Sequence, residues 1–252
     1  YHLEQKEGPL KYNGVVYNEM KGAFSSPDEV LEREIMNHLF PDTTYGCESG
    51  GDPKNIPDLT YENFLNFHKT YYHPSNSYIY LYGNMDMEEK LAFLDEHYLS
   101  HFDYLDVDSV IQEQKEFGAC RDVTLEYPVA ENEGEEDNTY LSYNMVVGNA
   151  ADSQMAMAFE VLDYALLSAP GAPLKQALLD VKAGKDVYGS YDDGILQPYF
   201  TVIAKGSNPD RKEEFVSVIR QVLGDIVKNG IDKKAVEAGI NYFEFRYREA
   251  DF

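Results

Sequence analysis

Asn13-Gly14-Val15-Val16-Tyr17-Asn18-Glu19-Met20-Lys21-Gly22 is the stretch on which the reading of this chain turns. Glu19 stands between an apolar pair, Val15-Val16, and the small residues Gly22-Ala23. Carboxylates rarely keep such company unless something pairs with them, and a metal ion is one candidate partner. The same pattern also suits a surface glutamate on an amphipathic helix, because buried Asp and Glu are scarce. Taken locally, the stretch leaves both readings open.

Further along come Ser49-Gly50-Gly51-Asp52-Pro53, Ile56-Pro57-Asp58-Leu59-Thr60-Tyr61-Glu62, Phe67-His68, Tyr71-Tyr72-His73-Pro74-Ser75-Asn76-Ser77 and Tyr82-Gly83-Asn84. Together with Gly14–Gly22 these runs resemble the presequence-protease branch of the pitrilysin/insulinase (M16) zinc metallopeptidases. The resemblance is strongest over residues 10 to 102. From 119 to 252 it rests on element order and on Pro170-Gly171-Ala172-Pro173-Leu174-Lys175-Gln176-Ala177-Leu178.

The resemblance implies an α+β fold of two consecutive M16-type units, each a mixed or antiparallel sheet packed with helices. Residues 1–102 would be the back part of the first unit, incomplete at its N-terminus. Residues 103–118 would be a linker, and 119–252 a second unit truncated at its C-terminus. It also implies Zn2+ as cofactor, an unstructured peptide as substrate, and an ATP-independent endopeptidase working in a closed chamber. By the same match Glu19 is the distal zinc ligand. The other ligands and the general-base Glu of the family lie in a His-x-x-Glu-His motif, which occurs nowhere in these residues; the histidines are His2, His38, His68, His73, His97 and His101. No catalytic residue is therefore expected within the chain, which alone should bind zinc poorly and cleave nothing. Two accounts stay open: a piece whose zinc helix precedes Tyr1, or a paralogue without the motif, serving as an inactive scaffold or peptide-binding subunit.

Composition narrows the partners. With 21 Lys and Arg against 45 Asp and Glu, the formal charge of −24 argues against nucleic acid and anionic membrane, which need clustered cations. It is compatible with steering a basic or unstructured peptide, and equally with plain solubility. A hydrophobic fraction of 43% is enough for sizeable cores, so disorder is not expected. Cys47 and Cys120 are too few and too far apart for a metal knuckle or disulfide framework, and point to a reducing compartment. An incomplete first unit should leave apolar surface exposed or covered by another copy, so self-association is expected.

Ser26-Pro27-Asp28-Glu29 predicts a helix start with a capping box, continuing through Leu31, Ile35 and Leu39 to Pro41. Residues 41 to 59 read as a long irregular connection. Thr60, Asp86 and Asp152 read as N-caps of further helices. Leu91, Leu94, Tyr98 and Phe102 predict an amphipathic stripe. Strands are predicted at Tyr78–Tyr82 (buried), Val123–Val129, Thr139–Val147, Val187–Tyr191 and Ile195–Ala204. The acidic run Glu131–Asp137 would connect the second and third of these. Pro209 opens a helix carrying Phe215, Val218, Ile219, Val222 and Ile226, Gly230 takes the C′ position, and a last helix follows Asp232.

His97 and His101 have the spacing of a zinc helix, but without the intervening Glu order they read as solvent-facing side chains. His68 reads as a packed, hydrogen-bonded histidine, and His73 similarly. Ser49–Pro53 lacks the Lys-Ser/Thr of a phosphate loop and reads as a tight turn needing glycine. The tyrosines suit a wall gripping extended peptide, although core packing explains most of them.

Overall fold

A computed structural model describes residues 1–130 and 134–249. In chain order the elements are α1 (Val15–Ala23), α2 (Pro27–Leu39), α3 (Tyr61–Tyr71), α4 (Met87–His97), β1 (Thr139–Val146), α5 (Ser153–Asp163), α6 (Pro173–Asp180), β2 (Asp186–Asp192), β3 (Tyr199–Ser207), α7 (Lys212–Asn229) and α8 (Lys233–Arg248). The fold is α+β, as expected. The residues form two compact units: Tyr1–Ala23 with Glu48–Gln112, and Phe24–Cys47 with the chain from Glu113 onward. Residues 24–47, sequentially inside the expected first unit, thus cluster with the second.

In the first unit, local signals build the helices. Thr60 and Asn63 form a reciprocal capping box on α3, and the Asp86 carboxylate accepts the Glu89 N–H at 3.1 Å to start α4. None of α1, α3 and α4 buries a residue. The predicted buried strand at Tyr78–Tyr82 is absent: these residues form no ladder, and Tyr78, Ile79, Tyr80 and Tyr82 are exposed. A strand needs a partner, and no described segment supplies one here. The stripe through Phe102 is also interrupted. Helix α4 ends at His97, and Tyr98 leaves helical geometry at φ −137°, so Leu91, Tyr98 and Phe102 stay exposed.

The second unit is built on a three-stranded antiparallel sheet in the order β1-β3-β2. Leu141 pairs with Ala204 and Val146 with Tyr199 on one side of β3; Asp186 pairs with Lys205 and Asp192 with Tyr199 on the other. Side chains alternate between the faces of a strand. One face sends Leu141, Val187, Phe200, Val202 and Ala204 into a core with Leu166, Leu167, Leu174, Leu178, Phe215 and Ile219 from the helical segments between β1 and β2 and from α7. The opposite face packs Tyr199 and Val146 against Ile35, Phe40, Leu31 and Leu39 of α2 and its C-terminal flank. Covering both faces buries β3 almost end to end.

Two sequence expectations are corrected here. Val123–Val129 forms no strand, and Val123, Leu125 and Val129 are exposed. The connector assigned to 131–137 lies partly outside the described residues. The strand expected from Ile195 begins only at Tyr199: the carbonyls of Leu196 and Pro198 accept from Ala150 and Val147, but Pro198 has no N–H to reciprocate. Other expectations hold. Asp152 caps α5 through the Met155 N–H, Asp232 caps α8 through Lys234, and Gly230 ends α7 at φ +87°. Ser26 sits at the N-cap of α2 with Pro27 behind it, but its side chain makes no cap hydrogen bond.

Helix α5 runs into a π-turn, Tyr164–Ser168, against which β2 packs closely: a Cβ on Gly189 would collide with Leu167 and the Thr201 carbonyl. At this junction Asp163 has a buried Oδ1 without a hydrogen-bond partner. Burial pushes its carboxyl up to about 6 from 3.8, and a hydrogen bond with Ser168 opposes only part of that. The raised value means folding favours the protonated acid. Its destabilising effect is absent below the unfolded value, grows as pH rises through this window, and is full above it. Asp163→Asn is therefore expected to stabilise the unit at neutral pH by about 1–2 kcal/mol after allowance for solvent screening, with the gain vanishing near pH ~4. Urea denaturation of both proteins across that range checks it.

Candidate metal-ligand carboxylate

Helix α1 carries Glu19 and is entered from a small closed loop. His2 and Lys11 exchange backbone hydrogen bonds at 2.7 and 2.9 Å, and Lys11 pairs with Glu4 at 2.8 Å. That bridge places the Tyr1 ring 5.1 Å from Tyr12, which lies 5.8 Å from Tyr17 on α1. A hydrogen bond with Tyr1 holds the Tyr12 hydroxyl above its usual value. Asn18 Nδ2 donates to Asn13 Oδ1 at 2.7 Å across the first turn.

Glu19 itself is exposed. The apolar company that made it conspicuous is not a core: Val15 is 85% exposed, and Val16 is exposed as well. Glu19 thus stands on the solvent side of a helix that buries nothing. Such a carboxylate has the chemistry of one metal ligand. It is not a site by itself. Among the described residues no group of three or more His, Cys, Asp or Glu could hold a metal ion.

The glycine turn after residue 48 touches the same helix. Gly51 has φ +90°, where a side chain would be strained, and its N–H donates to the Glu48 carbonyl at 3.1 Å. Gly50 has no Cβ to clash with the Met20 thioether, the residue next to Glu19. The expected tight turn is present, and it also seats α1. That second role was invisible in sequence because Met20 and Gly50 lie in separate motifs.

The histidines fall elsewhere. His97 ends α4 and packs against Phe93 at 4.6 Å, whereas His101 lies in a separate 3₁₀ turn, so the two do not share one helix face. His68 stacks on Tyr72 at 4.8 Å and is exposed rather than buried. His73 Nδ1 accepts the Ser75 N–H at 3.2 Å, with its ring edge-on to Phe102. Cys47 and Cys120 are free thiols.

The sequence matches the profile described as "Peptidase M16 inactive domain" over residues 58–243. Over 252 residues it is 51% identical to Protein HypA of Clostridium perfringens, covering all of this chain and 26% of HypA. It is 37% identical to Presequence protease 1, chloroplastic/mitochondrial, of Arabidopsis thaliana, covering 99% of this chain and 23% of that protein. The chain thus spans about a quarter of the length of these curated relatives. Among solved structures, a putative M16-like peptidase from Alicyclobacillus acidocaldarius superposes with a TM-score of 0.60 at 18% identity, over 92% of this chain and 54% of that one, which establishes the shared fold. With the family profile covering most of its length, the chain belongs to the M16 peptidase family.

Proposed function

We propose that this chain is a segment of a zinc-dependent endopeptidase that degrades unstructured peptides in a closed chamber. The observation that carries the reading is Glu19, an exposed helix-borne carboxylate within the run that resembles the family's distal-ligand stretch, in a chain alignable along nearly its whole length with a presequence protease. The remaining ligands and the general base would come from a His-x-x-Glu-His helix outside these residues. Zinc, when bound, lowers the pKa of its water to about 7 and polarises the scissile carbonyl. Glu19 would neutralise part of the ion's charge and fix its coordination. In the whole polypeptide, residues 1–102 and 119–252 would belong to consecutive M16 units joined through 103–118. The −24 charge would favour basic, extended peptides.

A second reading is a non-catalytic M16 subunit that binds peptide or acts as scaffold. The match to a domain described as inactive is consistent with it. Digestion of an unstructured peptide by the full-length polypeptide, with and without a zinc chelator, separates the two. Cleavage abolished by chelation and restored by zinc supports the enzyme. A full-length protein that binds the peptide without cleaving it supports the scaffold.

A further inference from the structure

The chain contains two Asn-Gly pairs, Asn13-Gly14 and Asn229-Gly230, and the structure places them in different settings. An asparagine side chain can react with the backbone nitrogen of a following glycine, because no Cβ shields that nitrogen. In a folded protein the reaction needs the nitrogen to be free. Gly230 fails this condition: its N–H donates to the Ile226 carbonyl at 2.8 Å and closes the last turn of α7, with φ at +87°. Asn13 and Gly14 lie just before α1, and both are exposed. Among the described residues no acceptor takes the Gly14 N–H; only its carbonyl is engaged, by the Asn18 N–H at 2.9 Å. A Cβ built on Gly14 would meet nothing nearer than Tyr17 Cβ at 3.8 Å, so the approach is open.

The Asn13 side chain is also oriented for attack. Asn18 Nδ2 donates to Asn13 Oδ1 at 2.7 Å, and among the described residues nothing holds Asn13 Nδ2. As a nitrogen adds to Cγ, negative charge gathers on Oδ1, and a donor already placed there stabilises it. The group that must depart is the unheld Nδ2.

We propose that Asn13 is a self-modification site at which the folded chain deamidates. The Gly14 nitrogen bonds to Asn13 Cγ and gives its proton to water, while the Cγ–Nδ2 bond breaks and Nδ2 leaves as ammonia. Water then opens the resulting succinimide. Opening at Cγ leaves an aspartate on the ordinary main chain. Opening at the Asn13 main-chain carbonyl leaves isoaspartate, with an extra methylene in the backbone. No electrons are exchanged, and water is the only co-reactant.

The two products differ in consequence. The aspartate keeps the Asn18 contact as a charge-assisted hydrogen bond. It also sets a negative charge beside the start of a helix that has no acidic residue in its first turn, where such a charge is favourable. Isoaspartate lengthens the chain between Tyr12 and Gly14, and so disturbs the 5.8 Å contact of Tyr12 with Tyr17 and the start of α1. The chemistry is independent of what Glu19 binds; only an accompanying loss of zinc or cleavage would rest on the peptidase reading.

The test ages the full-length polypeptide in mildly alkaline buffer, folded and in urea. Both sites are mapped by peptide mass spectrometry, with fragmentation that tells the two linkages apart. In the folded protein Asn13 should convert about ten-fold faster than Asn229, the cost of freeing a bonded backbone N–H. In urea the two should convert alike. Asn18→Ala should slow Asn13 about two- to ten-fold, and Gly14→Ala should abolish its conversion while keeping the circular dichroism spectrum. Amide exchange over residues 15–23 should quicken in the isoaspartate fraction and stay at the wild-type rate in Asn13→Asp. Equal conversion of the two sites in the folded protein, or an Asn13 that stays intact there while converting in urea, overturns the proposal. An unchanged rate in Asn18→Ala overturns the part given to Asn18.

Discussion

Glu19→Gln in the full-length polypeptide is expected to abolish peptide cleavage while leaving the fold intact. Glu19 is exposed on α1, and that helix buries nothing. Gln has nearly the helix propensity of Glu, so no structural term opposes the substitution. Under the proposed function, what it removes is a negative donor to a doubly charged ion. Changes one shell further out typically cost about 10–100-fold in affinity or activity, so loss of a direct ligand should exceed about 100-fold. His97→Ala and His101→Ala should leave activity nearly unchanged, since the two residues lie in separate helical segments. Kinetics on an unstructured peptide, with zinc measured on the same samples, check all three. Wild-type rate and zinc in Glu19→Gln would remove the assignment, and loss of zinc on removing His97 would move the site there.

The largest stability effect is expected at Phe215. It projects from α7 into the core against the sheet and is 1% exposed. Truncating a buried Phe removes its transfer free energy and leaves a cavity, which together cost about 3–5 kcal/mol. Phe215→Ala should therefore destabilise the second unit by that amount, with an unchanged dependence on denaturant. Val227→Ala on the same helix, at a position 87% exposed, should move stability by no more than about 0.5 kcal/mol. Urea unfolding followed by circular dichroism checks both. Equal effects at the two positions would contradict the packing of α7 described above.

What was legible in sequence was local. Thr60, Asp86, Asp152 and Asp232 each announce a helix because the cap and its target N–H lie two or three residues apart. Gly51 and Gly230 mark backbone that only glycine adopts without strain. What was not legible depended on distant partners. Tyr78–Tyr82 has strand composition, yet no described strand lies beside it. Val123–Val129 fails for the same reason, whereas Thr139–Val146 finds β3 some sixty residues later. The docking of α2 onto the sheet joins Asp28 to Lys205 across 177 positions, and no periodicity reports such a contact. For the candidate site, the motif around Glu19 singled out the residue. The packing of the neighbouring Met20 beside Gly50 required coordinates.

The most direct test is a crystal structure of the full-length polypeptide with zinc, phased or checked at the zinc absorption edge. The account predicts one zinc ion with a Glu19 carboxylate oxygen at about 2.0–2.2 Å and two histidine nitrogens from a His-x-x-Glu-His helix at about 2.0–2.1 Å. A zinc ion coordinated without Glu19, or a full-length protein that binds no zinc at all, would contradict it.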